Sequence, residues 1–78
     1  MNEAIASFKK NSSEEVIVTC SNYKGCDVFD IRVWVKNSTN SDKIATKKGI
    51  TLPLILLPEL KQAIVVLEKE VNNMEHNA

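Results

Sequence analysis

The sequence predicts an α+β domain: a curved, four-stranded antiparallel sheet followed by one long C-terminal helix. Two patterns and the chain length support this fold. Apolar and polar side chains alternate along residues 28–36, apolar residues recur at heptad spacing over residues 57–74, and the chain has only 78 residues. A chain this short forms one domain with a thin core, and we therefore expect it to be used as a homodimer.

The clearest predicted strand covers residues 28–36. Successive strand side chains point to opposite faces of a sheet. One face of this strand is therefore entirely apolar and carries Phe29, Ile31, Val33 and Val35. The other face carries Asp30, Arg32, Trp34 and Lys36. A strand with one apolar and one polar face is typical of an antiparallel sheet that is solvated on one side.

Three further strands complete the predicted meander. Residues 14–23 are rich in β-branched side chains and end at Lys24-Gly25, which we interpret as a turn. A polar turn at residues 37–41 leads to a short strand at residues 42–46 and another at residues 50–52. Residues 1–13 are interpreted as a polar leader, in which Ile5 and Phe8 could dock on the domain and residues 9–13 form a turn or linker. The predicted organisation is thus a leader (1–13), one domain (14–74) and a polar tail (75–78).

The predicted helix opens at Pro53 or Pro58, because proline is tolerated in a first helical turn. Its apolar residues follow a spacing of three and four, as in a coiled coil. They are Leu57, Leu60, Ile64, Leu67, Val71 and Met74. The helix could bury this apolar stripe against the sheet of its own chain alone. We favour a stripe shared with a second copy, with Leu57, Leu60, Ile64, Leu67 and Val71 in the dimer interface.

Several classes of protein are disfavoured by what the sequence does not contain. Cys20 and Cys26 lack metal-ligand spacing, and His76 lies in the polar tail, so we expect no metal and no cofactor. No phosphate loop, nucleophile elbow or HExxH motif is present, so we expect neither catalysis nor a small-molecule substrate. No segment resembles a signal peptide or a membrane span, which favours a cytoplasmic protein with reduced thiols.

The charges are distributed unevenly, although the formal net charge is zero. Residues 16–52 carry a net charge of plus three, whereas residues 53–78 carry a net charge of minus two. In the basic part, alternation places Trp34 between Arg32 and Lys36. An exposed aromatic ring between cations suits single-stranded nucleic acid, because bases stack on the ring while cations neutralise phosphates. The alternative is that Trp34 covers the edge of the core or packs on the residues of the leader.

Neighbouring residues extend the same predicted surface. Tyr23 and Lys24 belong to the face of the preceding strand that we expect to be exposed. Asp30 is expected to pair with Arg32 and fix its direction; the alternative is that it serves only solubility. The predicted binding residues are Tyr23, Lys24, Arg32, Trp34, Lys36, Lys43, Lys47 and Lys48. For Lys47 and Lys48, an ordinary solvated loop is the alternative.

Three segments occur in a characteristic order: Tyr23-Lys24-Gly25, residues 29–34 and residues 48–52, with Leu60 and Ile64 after them. Together they resemble the single-stranded-DNA-binding domain of transcriptional coactivator positive cofactor four, particularly its small bacterial relatives. The resemblance covers residues 15–71. It implies a four-stranded curved sheet, a C-terminal helix that pairs across a dimer axis, and β-ridges that bind single-stranded or unwound DNA with little sequence preference. By position, Tyr23 and Lys24 match an aromatic and a basic residue of a ridge, and Arg32 matches a family arginine. Trp34 lies on the aromatic-rich stretch after Arg32, and Lys47 and Lys48 match the basic pair before the glycine.

The chain also departs from the family pattern. Ser21 and Cys26 stand where the eukaryotic relatives have basic residues, Leu57 stands where they have tryptophan, and their serine-rich acidic tail is missing.

From the predicted surface and the resemblance, we expect a homodimer that binds single-stranded DNA and acts in transcription, replication or repair. Two alternatives stay open: an RNA-binding protein, and a protein–protein adaptor whose basic face meets an acidic partner.

Overall fold

A computed structural model describes residues 3–37, 39 and 42–76. They form one four-stranded antiparallel sheet with strands in chain order, followed by a helical segment. The strands are β1 (Glu3–Lys9), β2 (Glu14–Tyr23), β3 (Cys26–Lys36) and β4 (Lys43–Pro53). A 3₁₀ turn (Leu54–Leu56) leads into the helix α1 (Leu57–His76). The predicted α+β class, the antiparallel meander and the C-terminal helix are confirmed.

The hairpin of β2 and β3 forms as the alternation predicts. Val18 pairs with Ile31 on the apolar face, and Thr19 pairs with Asp30 on the opposite face. Lys24 and Gly25 both have positive φ, at 52° and 80°, which is the backbone of a tight two-residue hairpin turn. The side chain of Asn22 accepts a 3.1 Å hydrogen bond from the Gly25 amide and closes the turn.

Strand β1 corrects the predicted polar leader. Residues 3–9 pair with β2, with an irregularity between Ala4 and Ala6. Alternation in this segment is weak because small and polar residues occupy it, and its backbone joins the sheet through pairing with β2. Residues 1 and 2 of the predicted leader lie outside the described part of the chain.

The strands predicted at residues 42–46 and 50–52 are in fact one strand, β4. The intervening Lys47, Lys48 and Gly49 resemble a break in the sequence, but they form a bulge where the pairing with β3 shifts between Arg32 and Trp34. The Thr46 hydroxyl donates to the Val33 carbonyl at 2.7 Å and accepts from the Lys48 amide at 3.2 Å, which satisfies backbone groups in the bulge. The sheet therefore has four strands as predicted, but two of them differ from the predicted segments. Of the predicted turn at residues 37–41, residues 38, 40 and 41 lie outside the described residues.

Gly49 is required where β4 rejoins β3 after the bulge. A Cβ atom at this position would lie 2.6 Å from the Ile31 carbonyl oxygen and 2.8 Å from Arg32 Cα. These neighbours are backbone atoms in a paired strand, so they cannot move aside as a flexible side chain could. Gly49 thus permits the close approach that positions Arg32.

The helix α1 begins at Leu57, with Pro58 in its first turn, and ends at His76, two residues into the predicted tail. It contacts the 3₁₀ turn, and within the described residues no strand packs extensively against it. Ile64 and Leu67 are 52% and 60% exposed. The expectation that the helix places part of its stripe on its own sheet is therefore wrong for the single chain.

The core of the single chain is small. Of the hydrophobic residues described, only Ile17 and Phe29 are buried. On the apolar face of the sheet, Ile44 and Ile50 remain nearly half exposed. The radius of gyration is 15.3 Å, whereas a compact chain of this length would have about 11.5 Å. Two apolar surfaces, one on the sheet and one on the helix, are thus left uncovered.

Candidate nucleic-acid interface

The face of the sheet opposite Phe29 and Ile31 carries two aromatic residues, Tyr23 and Trp34, together with basic and hydroxyl side chains. Directly paired residues of an antiparallel sheet share a face, so the register assigns its members. This surface is called the polar face, and its members include Lys9, Glu15, Thr19, Tyr23, Asp30, Arg32, Trp34, Lys36, Lys43 and Thr51. The predicted division of β3 into an apolar and a polar face is therefore present in the structure.

The centre of the polar face is a hydrogen-bonded network around Arg32. The Arg32 Nη2 atom lies 2.8 Å from Asp30 Oδ1, and Nε donates to both Asp30 carboxylate oxygens at 3.2 and 3.1 Å. Nη1 donates to the Thr46 carbonyl at 2.9 Å. The Thr51 hydroxyl donates to Asp30 Oδ1 at 2.6 Å. Arg32 thus ties β3 to β4 beside the bulge, and the expected pairing with Asp30 is observed.

This network also sets the charge state of its members. Burial opposes ionisation of Asp30, but the hydrogen bonds from Arg32 and Thr51 and the positive charge of Arg32 outweigh it, so the pKa of Asp30 is lowered. The same hydrogen bond with Asp30 raises the pKa of Arg32. Because most of its donors already serve Asp30, Thr46 and Thr51, Arg32 acts first as an organising residue. A phosphate contact by Arg32 stays a prediction.

Trp34 lies on the polar face, directly opposite Glu15 of β2 and Ala45 of β4. Its side chain is half-buried. Its indole Nε1 is buried and has no hydrogen-bond partner, an unusual state for a donor. Trp34 forms part of the wall of two separate grooves, one on each side of it. The ring is therefore at the centre of the candidate surface, although it is less exposed than the sequence suggested.

The first groove, called the hairpin groove, extends from Trp34 toward the β2–β3 turn and has a volume of about 500 Å³. Its lining combines aromatic and hydroxyl groups with the neutralised ion pair of Asp30 and Arg32, and it includes Thr19, Ser21, Tyr23 and Thr51. It offers ring surfaces and hydroxyl donors with little net charge, which suits bases better than phosphates.

At the tip of the hairpin, Tyr23 is 63% exposed, and Lys24 Nζ lies 5.3 Å from the centroid of its ring. This cation–π contact places a positive charge beside an exposed aromatic surface. Tyr23 and Lys24 are therefore adjacent, as the sequence predicted, at one end of the hairpin groove.

The second groove, called the end groove, lies on the other side of Trp34 and has a volume of about 410 Å³. Three lysines line it, namely Lys9, Lys36 and Lys43. Lys36 and Lys43 are directly opposite each other on β3 and β4. The Lys43 Nζ atom lies 2.7 Å from Glu15 Oε1. The structure thus brings Lys36 and Lys43 together with Trp34, as the predicted surface requires.

Lys47 and Lys48 lie elsewhere. Both are exposed in the β4 bulge and line neither groove. The Asn11 hydrogen bond chiefly lowers the pKa of Glu14, and the positive charges of Lys10 and Lys48 contribute. The structure does not join these two lysines to the grooves, and their role in binding stays a prediction.

Sequence reasoning missed Lys9 and Glu15 as members of this surface, as well as Thr46 and Thr51. Lys9 falls within the predicted leader, and the pairing of β1 with β2 is what brings it to the end groove. Thr51 carried a usable signal, because a strand through residues 50–52 puts it on the opposite face from Ile50. The bulge that turns the Thr46 carbonyl toward Arg32 has no such signal.

Comparison with known proteins adds a family and a fold. The family model described as Transcriptional Coactivator p15 (PC4) matches residues 10–63. A search of the curated proteins finds no significant match. Among solved structures, a PC4 homolog from Burkholderia pseudomallei K96243 in an orthorhombic crystal form is 23% identical, with a TM-score of 0.80 over 88% of this chain and 92% of that chain.

Two other solved structures share the fold. The tetragonal form of the Burkholderia protein is 22% identical, with a TM-score of 0.78 over 87% of this chain and 98% of that chain. A bacteriophage T5 homolog of the eukaryotic coactivator PC4, implicated in recombination-dependent DNA replication, is 20% identical. Its TM-score is 0.60 over 96% of this chain and 80% of that chain.

Two other kinds of feature are missing from the described residues. They contain no group of three or more His, Cys, Asp or Glu side chains placed to hold a metal ion. None of the helices among them has the length and apolarity to cross a membrane.

Proposed function

The chain belongs to the PC4 family of transcriptional coactivators, and on that premise we propose that it binds single-stranded DNA, without catalysis and with little sequence preference, through the polar face of a homodimer. The observation that carries the proposal is the position of Trp34. It stands between a hairpin groove of aromatic and hydroxyl groups and an end groove lined by three lysines and two glutamates. Bases stacked in the first and phosphates held in the second are what a single strand offers together.

Duplex DNA fits this surface less well. Its bases are stacked inside the helix and present only their edges in the grooves, so Trp34 and Tyr23 would have no ring faces to meet. The distribution of charge on the polar face supports the same choice. The central Asp30–Arg32 pair is internally neutralised, and the cations lie at Lys24, Lys36 and Lys43 toward the two ends.

A homodimer is supported by the amount of uncovered surface. The single chain has 6382 Å² of accessible surface, whereas a folded monomer of 8.7 kDa is expected to have about 4,700 Å². The excess is about twice the 800 Å² that each partner buries in a standard interface. The exposed apolar residues include the predicted stripe of Leu57, Ile64, Leu67 and Val71. Leu60, also in the predicted interface, is half-buried in the single chain.

The relatives support a role in DNA metabolism. The matching family is one of transcriptional coactivators, and the phage homolog is implicated in recombination-dependent replication. We propose that this chain acts on single strands exposed in transcription, replication or repair.

The test is a salt series of binding to single-stranded DNA, duplex DNA and RNA oligonucleotides of one length. We expect single strands to bind more tightly than duplex, with an affinity that falls as salt rises because phosphates release counterions on binding lysines. Tighter binding of RNA than of single-stranded DNA would identify RNA as the ligand and overturn the proposal for DNA. Absence of binding to all three would favour the protein–protein adaptor and overturn the proposal.

A further inference from the structure

The Glu15 carboxylate in the end groove is surrounded by groups that bind anions. Lys43 Nζ lies 2.7 Å from its Oε1 atom. The hydrogen bond from Lys43, and then one from Ser7, hold the pKa of Glu15 below its ordinary value despite partial burial, and the charge of Lys9 adds to the effect. Glu15 is also directly paired with Lys9 on one side and with Trp34 on the other. A carboxylate is therefore already held at this position by Lys43, with Ser7 and the charge of Lys9 also favouring its ionised form.

The Glu15–Lys43 ion pair crosses over a strand. Glu15 belongs to β2 and Lys43 to β4, and β3 lies between them. Two strand spacings amount to about 9.6 Å, so the two long side chains meet above β3. The register places that meeting point at the level of Trp34 and Lys36. The ion pair thus spans the end groove beside the indole ring.

Without the Glu15 carboxylate, this part of the polar face would be strongly positive. Lys36 and Lys43 are directly opposite each other, an arrangement of like charges that is unfavourable unless an anion lies between or beside them. Lys9 lines the same groove. The three lysines of the groove outnumber its two carboxylates, Glu14 and Glu15, so Glu15 leaves part of the positive charge available to a negative ligand.

We propose that the end groove is a phosphate subsite for the backbone of a single-stranded nucleic acid, and that Glu15 occupies it in the free protein and is displaced on binding. This inference rests on the proposed function. A phosphodiester is favoured over an acidic peptide because Trp34 forms a wall of both grooves, so a strand with a base beside Trp34 brings its adjacent phosphate to Lys43. Lysines hold phosphate as point charges and need no fixed fork geometry.

If Glu15 competes with the phosphate, removing its charge should strengthen binding. Glu15→Gln should bind an oligo-dT strand about two- to fivefold more tightly than the wild type, the range expected for releasing one partly exposed ion pair. Glu14→Gln is the matched control. Glu14 borders the same groove but points to the other face of β2, where Asn11 Nδ2 donates to it at 2.7 Å and Lys10 Nζ lies 3.5 Å away. It should change affinity less.

A double-mutant cycle separates a specific subsite from a general charge effect. In a Lys43→Ala background, Glu15→Gln should lose most of its gain, because the lysine it releases is absent. Thermal melts of each variant establish that the fold is retained. An equal gain in the presence and absence of Lys43, or an equal gain from Glu14→Gln, would overturn the subsite while leaving the proposed function intact. If neither the wild type nor Glu15→Gln binds oligo-dT, the proposed function and the subsite both fail.

Discussion

Asp30 and Arg32 lie two positions apart on the same face of β3, and three hydrogen bonds join the guanidinium to the carboxylate, the shortest of them 2.8 Å long. Both side chains are about one-fifth exposed. This pair neutralises the middle of the polar face and, through the Thr46 carbonyl and the Thr51 hydroxyl, fixes β4 beside β3. The central arginine of the candidate surface is therefore part of the scaffold.

Replacing Asp30 by Asn should destabilise the fold, because it leaves the partly buried Arg32 without its counter-charge. Asp27→Asn is the control: Asp27 is exposed and accepts one 3.0 Å hydrogen bond from the Asn22 side chain in the hairpin. Chemical denaturation should show a clearly lower midpoint for Asp30→Asn than for Asp27→Asn. Equal midpoints would show that the network does not hold β4 in place.

The same pair predicts a loss of stability in acid. The pKa of Asp30 is lowered from an ordinary value of 3.8, so at low pH the unfolded chain takes up this proton before the folded chain does. The contribution of ionised Asp30 to the stability of the fold is complete at pH values above its ordinary pKa and disappears as the pH falls through its lowered pKa. The melting temperature, measured between about pH 2 and pH 7, should fall steeply only below about pH 4. Asp30→Asn should flatten that fall, and an unchanged profile would contradict the assignment.

The parts of the fold that follow a strong period could be predicted from the sequence. Alternation along β3 placed Trp34 and Arg32 on one face, and heptad spacing located the helix. Strand β1 was missed because small and polar residues blur its alternation, and β4 was divided because a Lys-Lys-Gly bulge resembles a turn. Lys9 and Glu15 were missed because they line one groove with Lys43 only when all four strands are paired.

Gly49→Ala should cost about 1–3 kcal/mol of stability, because the added methyl would overlap the backbone of Ile31 and Arg32. Gly25→Asn is a useful control. Gly25 has open space around it and a φ of 80°, which asparagine tolerates better than most residues. Urea denaturation should show a small change for Gly25→Asn and a large one for Gly49→Ala. Comparable losses would mean that the close approach of β4 to β3 is dispensable.

A charge in the helix stripe should dissociate the proposed dimer. Ile64→Glu or Leu67→Glu would place an unpaired carboxylate in the interface, and the single chain has too small a core to remain folded alone. Gln62→Glu, which introduces the same residue outside the stripe, should leave the dimer intact. Light scattering and circular dichroism at micromolar concentration distinguish these outcomes. A well-folded wild-type monomer would contradict the prediction.

Replacing Trp34 and replacing the lysines should weaken the binding of oligo-dT in different ways. Trp34→Ala should weaken binding to oligo-dT by about 1–3 kcal/mol and leave its salt dependence nearly unchanged, because stacking releases no counterions. Lys36→Ala or Lys43→Ala should lower the affinity and also reduce the salt slope by about 0.7 for each phosphate that the lysine no longer neutralises.

Fluorescence of Trp34, the single tryptophan of the chain, reports directly on stacking. The half-buried ring should be quenched when a base stacks on it, and duplex DNA of the same length should quench it less. Lys61→Ala, a change on the exposed surface of the helix, serves as the matched variant and should retain the full quenching. If oligo-dT binds without altering Trp34 emission, the ring belongs to the core of the polar face, and the bases stack elsewhere, with Tyr23 at the hairpin tip as the next residue to test.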